Sequence, residues 1–120
     1  MILVDTSAWI GHLRRADARL VRLLSQGRVV TCDVVIGELL LGAGLPRALL
    51  PALALLPVLP GPSAPQTLDY LRRHQAAFAA SGVGWADVQI IVAAVEAGAL
   101  VYSLDGAIRR VWRSLGFRLA

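Results

Sequence analysis

Lysine is absent from this 120-residue chain, and all twelve basic residues are arginine. That absence excludes Schiff-base chemistry, a GxxxxGK phosphate loop and the lysine of a phospho-acceptor receiver. Cysteine occurs once, at Cys32, so there is no intrachain disulfide and no CxxC pair, as suits a reducing compartment. The two histidines, His12 and His74, lie far apart at no ligand-like spacing, which argues against a zinc site or a histidine-based triad. Charge is scarce as well: 17% of residues are charged and 57% hydrophobic, where soluble domains average about a quarter charged. Disorder is excluded, because the chain has ample apolar surface to bury.

Long hydrophobic runs are also lacking. The greasiest stretch, Val34 to Leu59, is interrupted by Glu38, Arg47 and three prolines. Its longest uncharged piece after Arg47, Ala48 to Leu59, falls well short of the roughly 20 residues a membrane span needs. The N-terminus runs Met-Ile-Leu-Val into Asp5 and has no basic leader region. A soluble, cytoplasmic protein without a membrane segment is expected, folded as one domain over residues 1–120.

What is present is a run of short strands and helices. Ile2 to Val4 predicts a strand buried on both faces, followed by a helix over Ala8 to Leu13. Asp17 suits the cap of the next helix, with Leu20, Leu23 and Leu24 on its inner side and Gly27 closing it. Arg28 to Thr31 predicts a second strand. Asp33 suits the cap of a helix running to Leu41, and Pro46 the start of another running to Leu55. Four prolines between Pro57 and Pro65 predict a loop. Gln66 to Ala80 reads as the longest helix, with Leu68, Leu71, Gln75 and Phe78 on one face. A helix over Ala86 to Ala97, a strand over Leu100 to Leu104, a helix over Gly106 to Leu115 and a terminal strand over Phe117 to Leu119 complete the chain. Strands alternating with helices predict a parallel α/β sheet whose ligands sit at the carboxyl ends of the strands.

The eight acids divide into two sets. Asp17 and Asp33 suit helix caps, Asp69 pairs with Arg72 and Arg73 at helical spacing, and Glu96 lies near an exposed helix end. Asp5 and Asp105 instead stand at the exits of apolar strands. Glu38 has Val34, Val35, Leu41 and Gly42 as its helical neighbours and no cation within reach. Asp87 opens a helix yet shares a face with Ile91 and Ala94. An ionised carboxylate on an apolar face is costly unless paired or metal-bound, and several in one cleft raise one another's pKa. A hard divalent ion, Mg²⁺ or Mn²⁺, relieves that repulsion, and metal-assisted phosphodiester hydrolysis is the matching chemistry. With these four acids set aside, twelve arginines face four acids, a balance suited to a polyanionic partner. Arg14 and Arg15, and Arg109, Arg110 and Arg113, follow Asp5 and Asp105 closely and are candidate contacts for such a polyanion. Trp9 and Trp85 stand near Asp5 and Asp87, as base-stacking candidates or as packing.

The segments Ile2-Leu3-Val4-Asp5-Thr6-Ser7, Val35-Ile36-Gly37-Glu38-Leu39-Leu40-Leu41-Gly42, Asp87-Val88-Gln89-Ile90-Ile91-Val92-Ala93-Ala94 and Leu100-Val101-Tyr102-Ser103-Leu104-Asp105 together resemble the PIN-domain signature, in the form found in VapC-type toxins of toxin–antitoxin modules. The resemblance covers nearly the whole chain. It implies a three-layer α/β/α sandwich around a mostly parallel sheet of four to five short strands. It further implies an Mg²⁺-dependent endoribonuclease, with Mn²⁺ as a substitute, in which Asp5, Glu38, Asp87 and Asp105 are both catalytic and metal-binding. Thr6, Ser7 and Ser103 would orient them. Implied partners are an RNA substrate, a cognate antitoxin and a second copy of the chain. Many members carry a further acid two residues after the fourth, where this chain has Ala107. The competing reading is a non-catalytic acidic pocket that docks an arginine-rich peptide. The apolar excess between Val34 and Leu59 is expected to form a partner surface.

Overall fold

Four short apolar runs pair into one sheet in the computed structural model, which describes residues 1–42 and 44–120. The strands β1 (Ile2–Val4), β2 (Val29–Cys32), β3 (Val58–Leu59) and β4 (Leu100–Tyr102) take the order β3-β2-β1-β4, and every pairing is parallel. β1 sits at the centre, with Ile2 opposite both Val29 and Leu100 and Val4 opposite Tyr102. Both β1 and β2 are buried along their whole length, as strands covered on two faces must be.

The covering helices are α1 (Thr6–Arg14), α2 (Ala18–Ser25), α3 (Asp33–Leu41), α4 (Leu49–Ala54), α5 (Ala64–Arg73), α6 (Gln75–Phe78), α7 (Trp85–Ala97) and α8 (Gly106–Ser114). Together with the sheet they make the α/β/α sandwich that the sequence implies. α7 is apolar nearly all round and buries Val88, Ile90, Ile91, Val92, Ala93 and Ala94. Such a helix needs cover on several sides, and α3, α5 and α8 supply it. α8 is amphipathic by contrast, with Ile108, Val111 and Trp112 buried and Arg110 and Arg113 exposed. Gly98, at φ 67°, closes α7 in the left-handed conformation and lets the chain turn directly into β4. α7 spans about 20 Å at 1.5 Å per residue, so its first turn, with Trp85 and Asp87, stands toward the end of the sheet where the strands terminate. No helix among the described residues is long and apolar enough to cross a membrane.

Several boundaries differ from the sequence expectation. The proline-rich segment is not all loop: Val58–Leu59 forms β3, with Thr31 N–H donating to Pro57 O at 3.0 Å. It is an edge strand, the place where residues beside proline do least harm to a ladder. The long helix expected over Gln66 to Ala80 begins earlier, at a Ser63–Gln66 capping box, and breaks at His74. The break brings Phe78 edge-on to Tyr70 at 6.2 Å, while His74 packs against the Tyr70 ring at 4.2 Å. The inner face is therefore Thr67, Tyr70 and Phe78, and Leu68 is exposed. Phe117 to Leu119 form no strand. Phe117 stacks on Trp112 at 4.6 Å and Trp112 Nε1 donates to Arg118 O, so the tail follows α8. Asp33 is not a cap, because β2 runs straight into α3 and Cys32 takes the capping position without a side-chain bond. The helix expected from Pro46 to Leu55 is reduced to Leu49–Ala54.

Candidate active site

Asp5 ends β1 and caps α1, and parallel pairing sets it beside Ser103, the residue after β4. The carboxylate is 1% exposed. It accepts from Ser7 Oγ at 2.8 and 3.0 Å, from Ala8 N–H at 2.9 Å and from Ser103 Oγ at 2.5 Å. Burial pushes its pKa above the ordinary carboxylate value. The donors from Ser103, Ala8 and Ser7 pull it back, and the nearby negative charge of Asp105 raises it further. The two strand-exit acids therefore feel one another's field, as the cleft argument expects.

Glu38, on the second turn of α3, is half-buried and accepts from Thr6 Oγ1 at 2.6 Å. Since Thr6 follows Asp5 directly, this bond ties α3 to the end of β1. Asp105 caps α8 through Ile108 N–H at 3.0 Å, and its own N–H donates to Ser103 Oγ. Ser103 thus bridges Asp5 and the Asp105 backbone, and its carbonyl accepts from Arg109 Nη1 at 3.1 Å. Asp87 is engaged locally, its Oδ2 accepting from Gly84 N–H at 3.1 Å. The loop before it touches the first turn of α8, where Gly82 lies 4.0 Å from Ala107 Cβ, measured from the place a side chain would occupy.

Asp5, Glu38 and Asp105 thus meet through Thr6, Ser7 and Ser103, and Asp87 stands at the head of the adjoining helix. Among the described residues none of the four makes an ion pair; the pair present is the exposed Arg73–Asp69 contact at 3.1 Å. All their donors are hydroxyls or backbone N–H groups, so the set is all-oxygen and uncompensated, which fits a hard divalent cation. As placed, no three such side chains among the described residues form a ready-made metal group. Of the arginines, Arg14 shares a cavity of about 400 Å³ with Glu38, Arg109 holds the Ser103 carbonyl, and the Arg110 guanidinium lies beside Gly106. Arg15 and Arg113 are exposed and make no bond to the acids.

Asp17 does more than its helix cap requires. It caps α2 through Arg19 and Leu20 N–H, and its Oδ2 accepts from Tyr102 Oη at 2.5 Å. The Tyr102 bond is the main reason its carboxyl is held below the ordinary value. Burial, then that bond, pushes the Tyr102 phenol up to about 12. Nothing in sequence spacing links residues 17 and 102. The strand register does, by placing Tyr102 next to the end of β1.

An all-parallel α/β sheet with acids gathered where its strands end is the arrangement of a PIN domain. The chain matches that family over residues 2–113 and belongs to it. Over 43 residues it is 60% identical to Ribonuclease VapC32 of Mycobacterium tuberculosis strain CDC 1551 / Oshkosh, and equally to the protein of that name from strain ATCC 25618 / H37Rv. The match covers 36% of this chain and 35% of each relative, about a third of their length.

Proposed function

We propose that the chain is an Mg²⁺-dependent endoribonuclease, the toxin of a toxin–antitoxin pair, acting on RNA phosphodiester bonds through Asp5, Glu38, Asp87 and Asp105. The observation that carries this reading is the buried Asp5 carboxylate, ringed by hydroxyls, within the field of Asp105 and without a cation. Similarity to the two mycobacterial ribonucleases supports it. The four carboxylates would hold Mg²⁺, or Mn²⁺ in its place, and the ion would neutralise phosphoryl charge and lower the pKa of water.

The chain's own residues do the positioning. Ser7 and Ser103 fix the Asp5 carboxylate, Thr6 fixes Glu38, and Gly84 N–H holds Asp87. Arg14, Arg109 and Arg110, with Arg15 just past α1 and Arg113 further along α8, would provide a positive surround for the RNA backbone. A cognate antitoxin and a second copy of the chain are the protein partners of this reading. The apolar flank around Leu41 and Leu55, which are 90% and 86% exposed, would be the antitoxin groove, the contact between copies, or both.

The test is cleavage of a structured RNA by the purified chain with Mg²⁺, with EDTA, and by the D5N and D87N variants. Cleavage should need the metal and fall by about 100-fold or more in both variants, with native-like circular dichroism. Undiminished cleavage by either folded variant overturns the assignment. The lack of a ready-made three-ligand metal group among the described residues leaves one second reading, an acidic pocket that docks an arginine-rich peptide. Peptide binding with no cleavage under any metal condition would establish it.

A further inference from the structure

The fold separates the two tryptophans that the sequence places near the acids. Trp9 is 3% exposed and belongs to the core, whereas Trp85 keeps 46% of its surface. Trp85 is the first residue of α7, two positions before Asp87. It lines a cavity of about 340 Å³ whose walls also include Leu71, Gln75, Phe78, Val83 and Val88.

This cavity adjoins the acids through shared residues. Gly84 lies in its wall, and the Gly84 N–H is the group that donates to Asp87 Oδ2. Gly82, two residues earlier, packs against Ala107 in the first turn of α8, directly after Asp105. The Arg110 guanidinium sits over that same turn, 3.2 Å from where a side chain on Gly106 would begin. Acid, cation and aromatic cavity thus lie around the contact between the loop before α7 and the first turn of α8.

We infer that the cavity is a subsite for one unpaired nucleobase of the RNA substrate, stacked on the Trp85 indole and read at its polar edge by the Gln75 amide. The inference rests on the RNA-cleaving reading and adds to it a binding residue and a preference for single-stranded substrate. Chemistry selects this occupant. A base is planar and apolar on its faces but polar at its edge, matching an apolar pocket with an exposed indole and one carboxamide. Its attached phosphate would fall toward Arg110 and the acids. An aliphatic side chain from a protein partner would leave the Gln75 amide without a hydrogen-bonding role. A base held in a duplex is already stacked and could not enter.

The experiment measures binding without cleavage. Fluorescently labelled hexa-adenylate and hexa-uridylate are titrated into the full chain in EDTA and followed by anisotropy. The W85A variant should weaken binding about tenfold, as loss of one stacked base does, while W85F stays within about threefold of the native chain. Q75L should alter the ratio of the two affinities and leave their sum of binding largely in place. Trp85 and Gln75 are both surface residues, so these variants are expected to keep the native circular dichroism spectrum. Equal oligonucleotide affinity in W85A and the native chain overturns the subsite, even if the chain cleaves RNA. Trp85-dependent binding in a chain that never cleaves RNA keeps the subsite and removes the nuclease reading. An emission change that follows chain concentration but not RNA, and that is lost in W85F, assigns the cavity to a second copy and also overturns the proposal.

Discussion

The strand ends around Asp5 and the flank built from the last turn of α3 and α4 hold their side chains by opposite means. At the strand ends every buried charge has donors, and Asp5 alone accepts from Ser7, Ala8 and Ser103. On the flank, α4 has no side-chain cap, Leu53 is its one buried residue, and Leu40, Leu41 and Leu55 face outward. Beneath it lies an apolar cavity of about 300 Å³ lined by residues including Trp9, Leu24, Leu49 and Leu56, and the buried Trp9 Nε1 has no hydrogen-bond partner. The polar region is complete in its bonds and uncompensated in its charge. The apolar region is the reverse, free of charge and incomplete in its packing. A buried charge without a counter-ion and an open apolar face are the two costs that such a fold leaves uncovered.

The largest effect is expected at Leu53, the anchor of the flank. L53A should cost about 2–5 kcal/mol, as other buried leucine truncations do, measured by urea unfolding. A loss under about 1 kcal/mol would mean that α4 is not held through this residue. S103A probes the other region. It should lower RNA cleavage about tenfold, the scale for removing a group that orients a ligating side chain. Because the Ser103 bond lowers the Asp5 pKa, its removal should also shift the acid limb of the pH–rate profile to higher pH. An unmoved limb would separate Asp5 ionisation from the reaction.

Y102F should destabilise the fold by about 1 kcal/mol through its lost bond to Asp17. The pH dependence has a definite sign. The Asp17 carboxyl is lowered on folding, so its contribution is present above the unfolded value of 3.8 and disappears as pH falls through the lowered folded value. The Tyr102 phenol is raised, so the neutral donor is stable below the unfolded value of 10.0 and is lost as pH rises through about 12. The gap between native and Y102F should therefore be widest at neutral pH and close at both extremes. A gap independent of pH would assign the loss to packing. The smallest stability change is expected for L41S with L55S, within about 0.5 kcal/mol, accompanied by reduced self-association in analytical ultracentrifugation. Unchanged association would place any contact between copies elsewhere.

The candidate acids were legible in the sequence because acids at strand exits are marked locally. An apolar run followed at once by Asp, as at Val4-Asp5, shows where the chain leaves the sheet. By contrast, β4 stops at Tyr102, short of the strand expected to Leu104, and Asp105 instead caps α8. Glu38 was legible because a lone acid on an apolar helix face has no local explanation. The capping of α2 by Asp17 and the Asp69–Arg73 pair were equally local. Less local features were misplaced. Val58–Leu59 is too short and proline-bound to read as a strand, and it exists because β2 presents an open edge. The inner face of α5 is turned from Leu68 to Tyr70 because Phe78 and His74 pack against the Tyr70 ring.

The sequence by itself marked the candidate acids and the absence of lysine, since charge type and helical spacing are properties of neighbours along the chain. Only the tertiary structure decided which side chains share a site. Strand register set Ser103 against Asp5 and Tyr102 within reach of Asp17, the Thr6–Glu38 bond joined two helices, and burial divided Trp9 from Trp85. Those relations span tens of residues. They arise from the pairing of whole strands and the packing of whole helices, which no local pattern encodes.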